Sequence, residues 1–471
     1  MSPTDAVKRH LPWLVAVALF MENLDATILN TAVPVMAEGL KVEPLALKSV
    51  LTSYTLSLAV FIPVSGWMAD RFGTRRVFLW AVVVFAFGSL LCGLALNVPM
   101  LVVSRIIQGM GGAMMTPVGR IALVRTFPRS DLLRTMNYVI IPALIGPMIG
   151  PFVGGVIVHW LHWRVVFFIN LPFAIAGLWL VRRYMPNYVD EAVPPLDRLG
   201  FLFFGAGIAL LSYVLEVFGE HSVSAGQLTL LAVAALALLT VYGWHAQRIE
   251  KPVLSLWLFR VRTFRLSVVG GFVTRLGIGG MPFLLPLLYQ LGLGYSPWQA
   301  GLLTMPTAAA AIVMKITSRH LLAWFGHRTI LMSNTLMIGV IISLFTLVGP
   351  GAPIWLILTL GFAQGFFMSL QFTSMNSLIY ADVEDRDASK ASSIASTSQQ
   401  LSFSFGVAFA SLVAGWFLRG LDQTNPAEVV PALHHAFITM GLLTAISSVS
   451  FWGLHRDDGN NVSNRAPRAN A

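Results

Sequence analysis

The chain has 471 residues, of which 56% are hydrophobic and only 11% charged, with a formal net charge of +10. Apolar runs repeatedly exceed the roughly 18 residues that argue a bilayer-spanning helix, which excludes a soluble globular protein. The cations are scattered through short loops and form no patch, so their excess reads as membrane topology and not as a nucleic-acid surface.

The runs are continuous and about 20 residues long, which points to helices; barrel strands would be about half that and alternating. Fourteen spans are predicted in chain order. The first, 12–36, lacks a signal-peptide cleavage site and is expected to stay in the mature protein. It carries Asp25 about midway, at a depth where a charge costs roughly 2.5 to 3.5 kcal/mol. Glu22 stands three residues earlier on the same helical face. The second span, 46–69, runs into Gly66-Trp67-Met68-Ala69-Asp70-Arg71-Phe72-Gly73-Thr74-Arg75-Arg76, a tight charged knuckle that leads straight into the third span, 77–96. That third span holds Cys92, the one cysteine, which can make no internal disulfide. In the fourth, 99–124, Arg105, Gln108, Gly112, Thr116 and Arg120 fall at steps of three or four and form one polar stripe. The fifth, 135–158, contains Gly146, Pro147, Gly150, Pro151, Gly154 and Gly155, a stripe for close helix approach interrupted by two prolines that permit bending.

The sixth span, 164–185, is followed by a loop from Pro186 through Pro194, Pro195 and Asp197 that reads as a linker. Spans at 199–218 and 226–247 come next, then 265–291 with Arg275 near its middle and 297–318 with Lys315, two cations expected to be buried without an acid in the spans beside them. The last four, 329–349, 353–380, 390–418 and 433–454, offer Gln364, Gln371 and Ser374, then Ser392, Ser396 and Gln399, as polar groups able to line a cavity or glue helices together.

With fourteen spans and both termini inside, 23 of the 31 basic residues fall on the cytoplasmic side, four outside and four within spans, an asymmetry that fixes the orientation. The halves echo each other weakly. Arg105 to Gly109 parallels Gly361 to Gly365, and Phe72-Gly73 parallels Phe325-Gly326, although Ala323 stands where Asp70 would repeat. No phosphate loop, dinucleotide fingerprint or metal-ligand spacing occurs, so an ion gradient is the expected energy source and no cofactor or metal is expected.

The knuckle closely resembles the loop between helices 2 and 3 of the major facilitator superfamily, where the resemblance implies a charge latch formed by Gly66, Asp70, Arg71, Gly73, Arg75 and Arg76 with neighbouring helix ends. Leu24-Asp25-Ala26-Thr27-Ile28-Leu29-Asn30 is similar to the first-helix motif of that superfamily's fourteen-span drug:proton antiporters, which implies a proton-coupling role for Asp25. Arg105-Ile106-Ile107-Gln108-Gly109 resembles the fourth-helix motif, whose arginine pairs with the proton carrier, and Gly146 to Gly155 resembles the fifth-helix motif associated with antiport. The resemblance implies an all-α integral membrane protein of major facilitator fold: a six-helix half at 1–185, a linker and inserted two-helix hairpin at 186–250, a second six-helix half at 251–455 and a cytoplasmic tail at 456–471.

The function expected is proton-coupled export of small molecules, probed at Asp25, Glu22 and Arg105 for coupling and at Arg275, Lys315, Gln108, Arg120, Gln364, Gln371 and Gln399 for substrate. An exporter of a small anionic metabolite or a metal chelate such as a tricarboxylate is the alternative, and a non-transporting membrane sensor on the same fold is a third reading. No catalytic residue and no nucleic acid is expected. The partners are substrate, protons and the lipid bilayer, for a monomer in an inner or plasma membrane with cytoplasmic termini.

Overall fold

A computed structural model describes residues 5–218, 224–423 and 425–463; the end of the expected tail, 464–471, lies outside the described residues. Among the described residues all regular structure is helical. Among the described residues twelve helices are long and apolar enough to cross a membrane, and Ile145–Trp160 is a shorter apolar one. The fifth and tenth expected spans, 135–158 and 297–318, include residues whose side chains lie outside the described ones and are not among the twelve; Ile145–Trp160 covers the end of the fifth.

The chain divides into two compact units, Met1–Arg198 with Ser296–Gly301, and Leu199–Tyr295 with Leu302–Ala471. The first unit holds α1 (Asp5–Ile28), α2 (Val33–Leu40), α3 (Lys48–Phe72), α4 (Thr74–Gly93), α5 (Val98–Thr126), α6 (Arg129–Trp160), α7 (Val165–Phe168) and α8 (Asn170–Tyr184). The expected first span is not continuous: it turns at Leu29–Ala32 and restarts as α2. Pro34 explains this, since its ring excludes the carbonyl four residues back and it offers no N–H. Thr31, in the turn, donates instead to the Pro151 carbonyl of α6 at 2.7 Å. Along α6 the glycine stripe lies on α1: a Cβ at Gly146 would sit 3.0 Å from the Leu24 nitrogen, and those at Gly150 and Gly154 would collide with Thr27 and the Ile28 carbonyl. Small residues thus seat α6 against the helix that carries Asp25.

The same device positions α5. A Cβ at Gly109 would meet Ser57 and the Tyr54 carbonyl of α3, and one at Gly111 would meet the Phe85 and Ala81 backbone of α4. Asn97 caps α5 by accepting from the Met100 amide, with Pro99 in the first turn. Leu14, Val15, Phe78, Phe85, Met115 and Val118 fill the interior where α1, α4 and α5 meet.

The second unit holds α9 (Arg198–Val217), which begins at the boundary residue, α10 (Ala225–Ala246), α11 (Arg262–Gly279), α12 (Met281–Leu287), α13 (Pro297–Leu344) from Leu302 onward, α14 (Ile354–Leu378), α15 (Ala388–Leu418), α16 (Pro426–Ser447) and α17 (Asn460–Ser463). The expected ninth span is divided among α11, α12 and a π-helical turn at Leu288–Gly292; Pro282 and Pro286 remove two ladder donors there. In α13 the backbone breaks at Gly326, φ 75°, so two helices meet with almost no loop. Gly73 makes the same break between α3 and α4 at φ 94°. Both lie in the left-handed region that favours glycine, at the two positions where the sequence echoes itself. Gly207 of α9 packs against Leu238 and Leu239 of α10, while the apolar window of α10 is only 11% buried.

Candidate functional site

Asp25 and Arg105 form an ion pair at 2.6 Å, with both side chains almost wholly removed from solvent. The pair is the centre of a larger network in the first unit. Gln108, one turn along α5 from Arg105, donates its amide to Asp25 Oδ1 at 2.9 Å and to Ser89 Oγ at 3.1 Å. Asn170, at the start of α8, donates likewise to Asp25 Oδ1 at 2.7 Å and Ser89 Oγ at 2.9 Å. Ser89 donates its own hydrogen bond to the Phe167 carbonyl at 3.0 Å, which fills its hydrogen-bonding capacity. Arg105 also donates to Gln108 Oε1 at 2.7 Å and to the Val50 carbonyl at 3.4 Å, and its guanidinium lies 4.0 Å from the centre of the Tyr54 ring. Cys92 Sγ completes the group 3.7 Å from Gln108 Oε1.

Every group facing the Asp25 carboxylate is a donor, so the network fits the ionised acid. A proton on Asp25 would need an acceptor, and supplying one means breaking at least one of these bonds. Because arginine does not release its proton in such surroundings, only the carboxylate can change charge. The arrangement is therefore a buried charge pair in which the carboxylate is held by donors alone. Glu22, half-buried one turn earlier on α1, accepts a separate bond from Thr116 of α5 at 2.5 Å. Arg120, on the same stripe of α5, is exposed.

The knuckle is organised by residues outside it. Asp70 pairs with Arg125, in the last turn of α5, at 2.9 Å, and not with Arg71, Arg75 or Arg76 of its own loop. Arg71 and Arg76 are exposed, and Arg75 reaches the Arg182 carbonyl of α8. Arg125 is shared: it also donates through two nitrogens to Asp190, each at 2.8 Å. These bonds hold the Asp190 carboxyl below its ordinary range. Asp190 belongs to the segment read as a linker, which is strapped across the knuckle. Its amide donates to the Asp70 carbonyl at 3.0 Å, the Thr74 amide donates to the Tyr188 carbonyl at 3.1 Å, and Trp67 Nε1 donates to the Pro194 carbonyl at 2.8 Å. Asn187 fills the space beside Gly73, whereas Gly66 faces open space.

In the second unit Arg275 is 3% exposed. Its Nη2 meets Asn376 Oδ1 at 3.4 Å, its guanidinium carbon lies 5.1 Å from the centre of Phe372, and its Nε has no hydrogen-bond partner. Lys315, expected to be buried with it, is exposed on α13. Gln371 is buried glue between helices, accepting from Asn334 at 2.8 Å and donating to Thr335 at 2.7 Å. Gln364 is buried with an unpartnered Oε1, and Gln399 is half-buried.

Sequence reasoning missed Asn170, Ser89 and Asp190. A lone asparagine within Phe167-Phe168-Ile169-Asn170-Leu171 was the available signal for the first, since an amide in a span needs partners. Nothing local marks Ser89.

A bundle of apolar helices with a buried charge pair in one unit is the architecture of a multi-pass membrane protein. The profile described as Major Facilitator Superfamily matches residues 15–349 and 333–470, and the chain belongs to that family. A protein of Serratia proteamaculans strain 568, provisionally named multidrug resistance protein MdtD, is 39% identical over 443 residues, 93% of this chain and 92% of the relative. The protein of the same name in Salmonella typhimurium strain LT2 is 37% identical over 457 residues, 96% of each chain. Among solved structures, a POT family transporter in complex with a thioalcohol-conjugated peptide matches with TM-score 0.70 and 14% identity over 94% of this chain and 95% of that one. A bacterial homologue of the human lysosomal transporter Spinster matches with TM-score 0.67 and 14% identity over 99% and 100%. These structures share the fold alone.

Proposed function

We propose that the protein is a proton-coupled antiporter that exports small molecules of the multidrug type. The observation that carries this reading is the Asp25 network: a carboxylate and an arginine sealed in the first unit, arranged so that one proton rearranges them. Substrate loading from the cytoplasm accompanies release of the Asp25 proton, and a proton from outside resets the protein. At about 150 mV and half a pH unit one proton carries about 4 kcal/mol, enough for on the order of a thousandfold gradient of a neutral substrate. The names of the curated relatives support the multidrug assignment.

In this reading both termini are cytoplasmic in an inner membrane, as the distribution of basic residues supports. The α9–α10 hairpin is peripheral, which the low burial of α10 supports. The Asp70–Arg125–Asp190 cluster governs the conformational equilibrium and does not bind substrate. The reading is tested in proteoliposomes with an imposed pH gradient and by proton release on substrate addition to the purified protein. Parent protein should release protons and Asp25→Asn should not. Equal release from both would overturn it.

A further inference from the structure

Among the described residues two arginines are buried, and they are treated differently. Arg105 faces a carboxylate, an amide oxygen, a backbone carbonyl and a tyrosine ring. Arg275 has one long contact to an amide, one aromatic face and an unpartnered Nε. A buried guanidinium without an opposing charge is costly, so the source of its counter-charge is a physical question.

Among the described residues, the helices from α11 to α15 supply none. No aspartate or glutamate occurs between Glu250 and Asp382, a stretch that contains all of α11, α12, α13 and α14, and none occurs in α15. The one acid of α16, Glu428, sits in its first turn, where it accepts from Asn425 at 3.1 Å and from the Asp422 amide at 2.9 Å.

We propose that Arg275 is the head-group site for an organic anion, a carboxylate carried on a flat apolar body, and that it sets the sign of charge the protein accepts. A guanidinium offers paired N–H groups that match a carboxylate edge. Asn376, beside it, is exposed. The body would lie against Phe372, whose ring meets Phe403 edge-on at 5.9 Å. Lys315, being exposed, is not part of it. The word substrate here rests on the exporter reading above; binding at Arg275 does not require coupling.

The test is equilibrium binding to the purified full chain by calorimetry, with 2-naphthoate and 2-naphthylmethylammonium as probes that share a ring system and differ in charge. The parent should prefer the naphthoate by about tenfold or more, and Arg275→Gln should lose that preference, as removal of one charge-assisted contact implies. The ligand-free Arg275→Gln protein should also melt at a higher temperature than the parent, because an uncompensated buried charge is gone. No naphthoate binding by the parent, a preference for the ammonium, or unchanged binding by Arg275→Gln would overturn the proposal. So would a variant that melts lower, which would mean that the chain itself satisfies Arg275. A parent that prefers the anion but shows no proton release or gradient-driven transport would sink the antiport reading and leave the anion site standing.

Discussion

Replacing Asp25 by asparagine tests the central network quantitatively. The variant keeps the size of the side chain but leaves Arg105 buried with Gln108, the Val50 carbonyl and Tyr54 and no opposing charge. Breaking a buried pair by removing one partner costs about 3 to 5 kcal/mol. For a unit of this size that corresponds to a fall in melting temperature on the order of 10 °C. The double variant Asp25→Asn/Arg105→Gln removes both charges and should recover most of the loss, so the double-mutant cycle should give a coupling on the order of 3 kcal/mol. Thermal unfolding in detergent reads the stability, and proton release on substrate addition should be absent from both variants. A single variant that melts within a degree or two of the parent, or a double variant no better than the single, would refute the description of the site as a sealed charge pair.

Asn170→Leu leaves Ser89 and Asp25 each short of one donor and should cost on the order of 1 to 3 kcal/mol; its pH profile of transport should also move, and a profile identical to the parent's would show that Asn170 only packs. Gly154→Val puts side-chain atoms into the Ile28 carbonyl, so the variant should fail to accumulate as a monodisperse folded protein, and normal accumulation would argue that α1 and α6 are not so closely seated. The strap contact should respond to acid late. Arg125 holds Asp190 below the ordinary aspartate value of about 3.9, so the contact contributes fully above that value and is lost only as pH falls beneath it. A cysteine placed at Asn187 should therefore stay slow to label down to about pH 4, and labelling that accelerates near pH 6 would contradict the assignment.

Asp25, Arg105 and Gln108 were legible in the sequence because charge and amide groups in the middle of an apolar run are anomalies that demand partners. Their meeting with Asn170 was not, since that contact spans 145 residues and depends on how α8 packs against α1 and α4. Asp190 was hidden for the opposite reason: an acid in a proline-rich loop looks solvated, and only the fold brings it to Arg125. Lys315 was misjudged from the apolar residues around it, because a run of small residues does not reveal which face of its helix is covered. The break in the first span at Leu29–Ala32 was not expected, although Pro34 was its signal; close approach of the fifth span was plain from glycines four residues apart, but not that its partner is α1.

Gly73 and Gly326 share one more property. The residue that follows Gly73, Thr74, is bonded to Tyr188 in the segment after α8. The residue that follows Gly326 is His327, and a Cβ at Gly459, in the segment after α16, would strike its ring. Arg262–Asp458 and Asn461 with the Ala381 carbonyl fasten that segment further. Each unit thus closes with a short belt drawn over its own glycine corner. A protein cut after Leu454 would therefore be missing a fitted part and not a loose end.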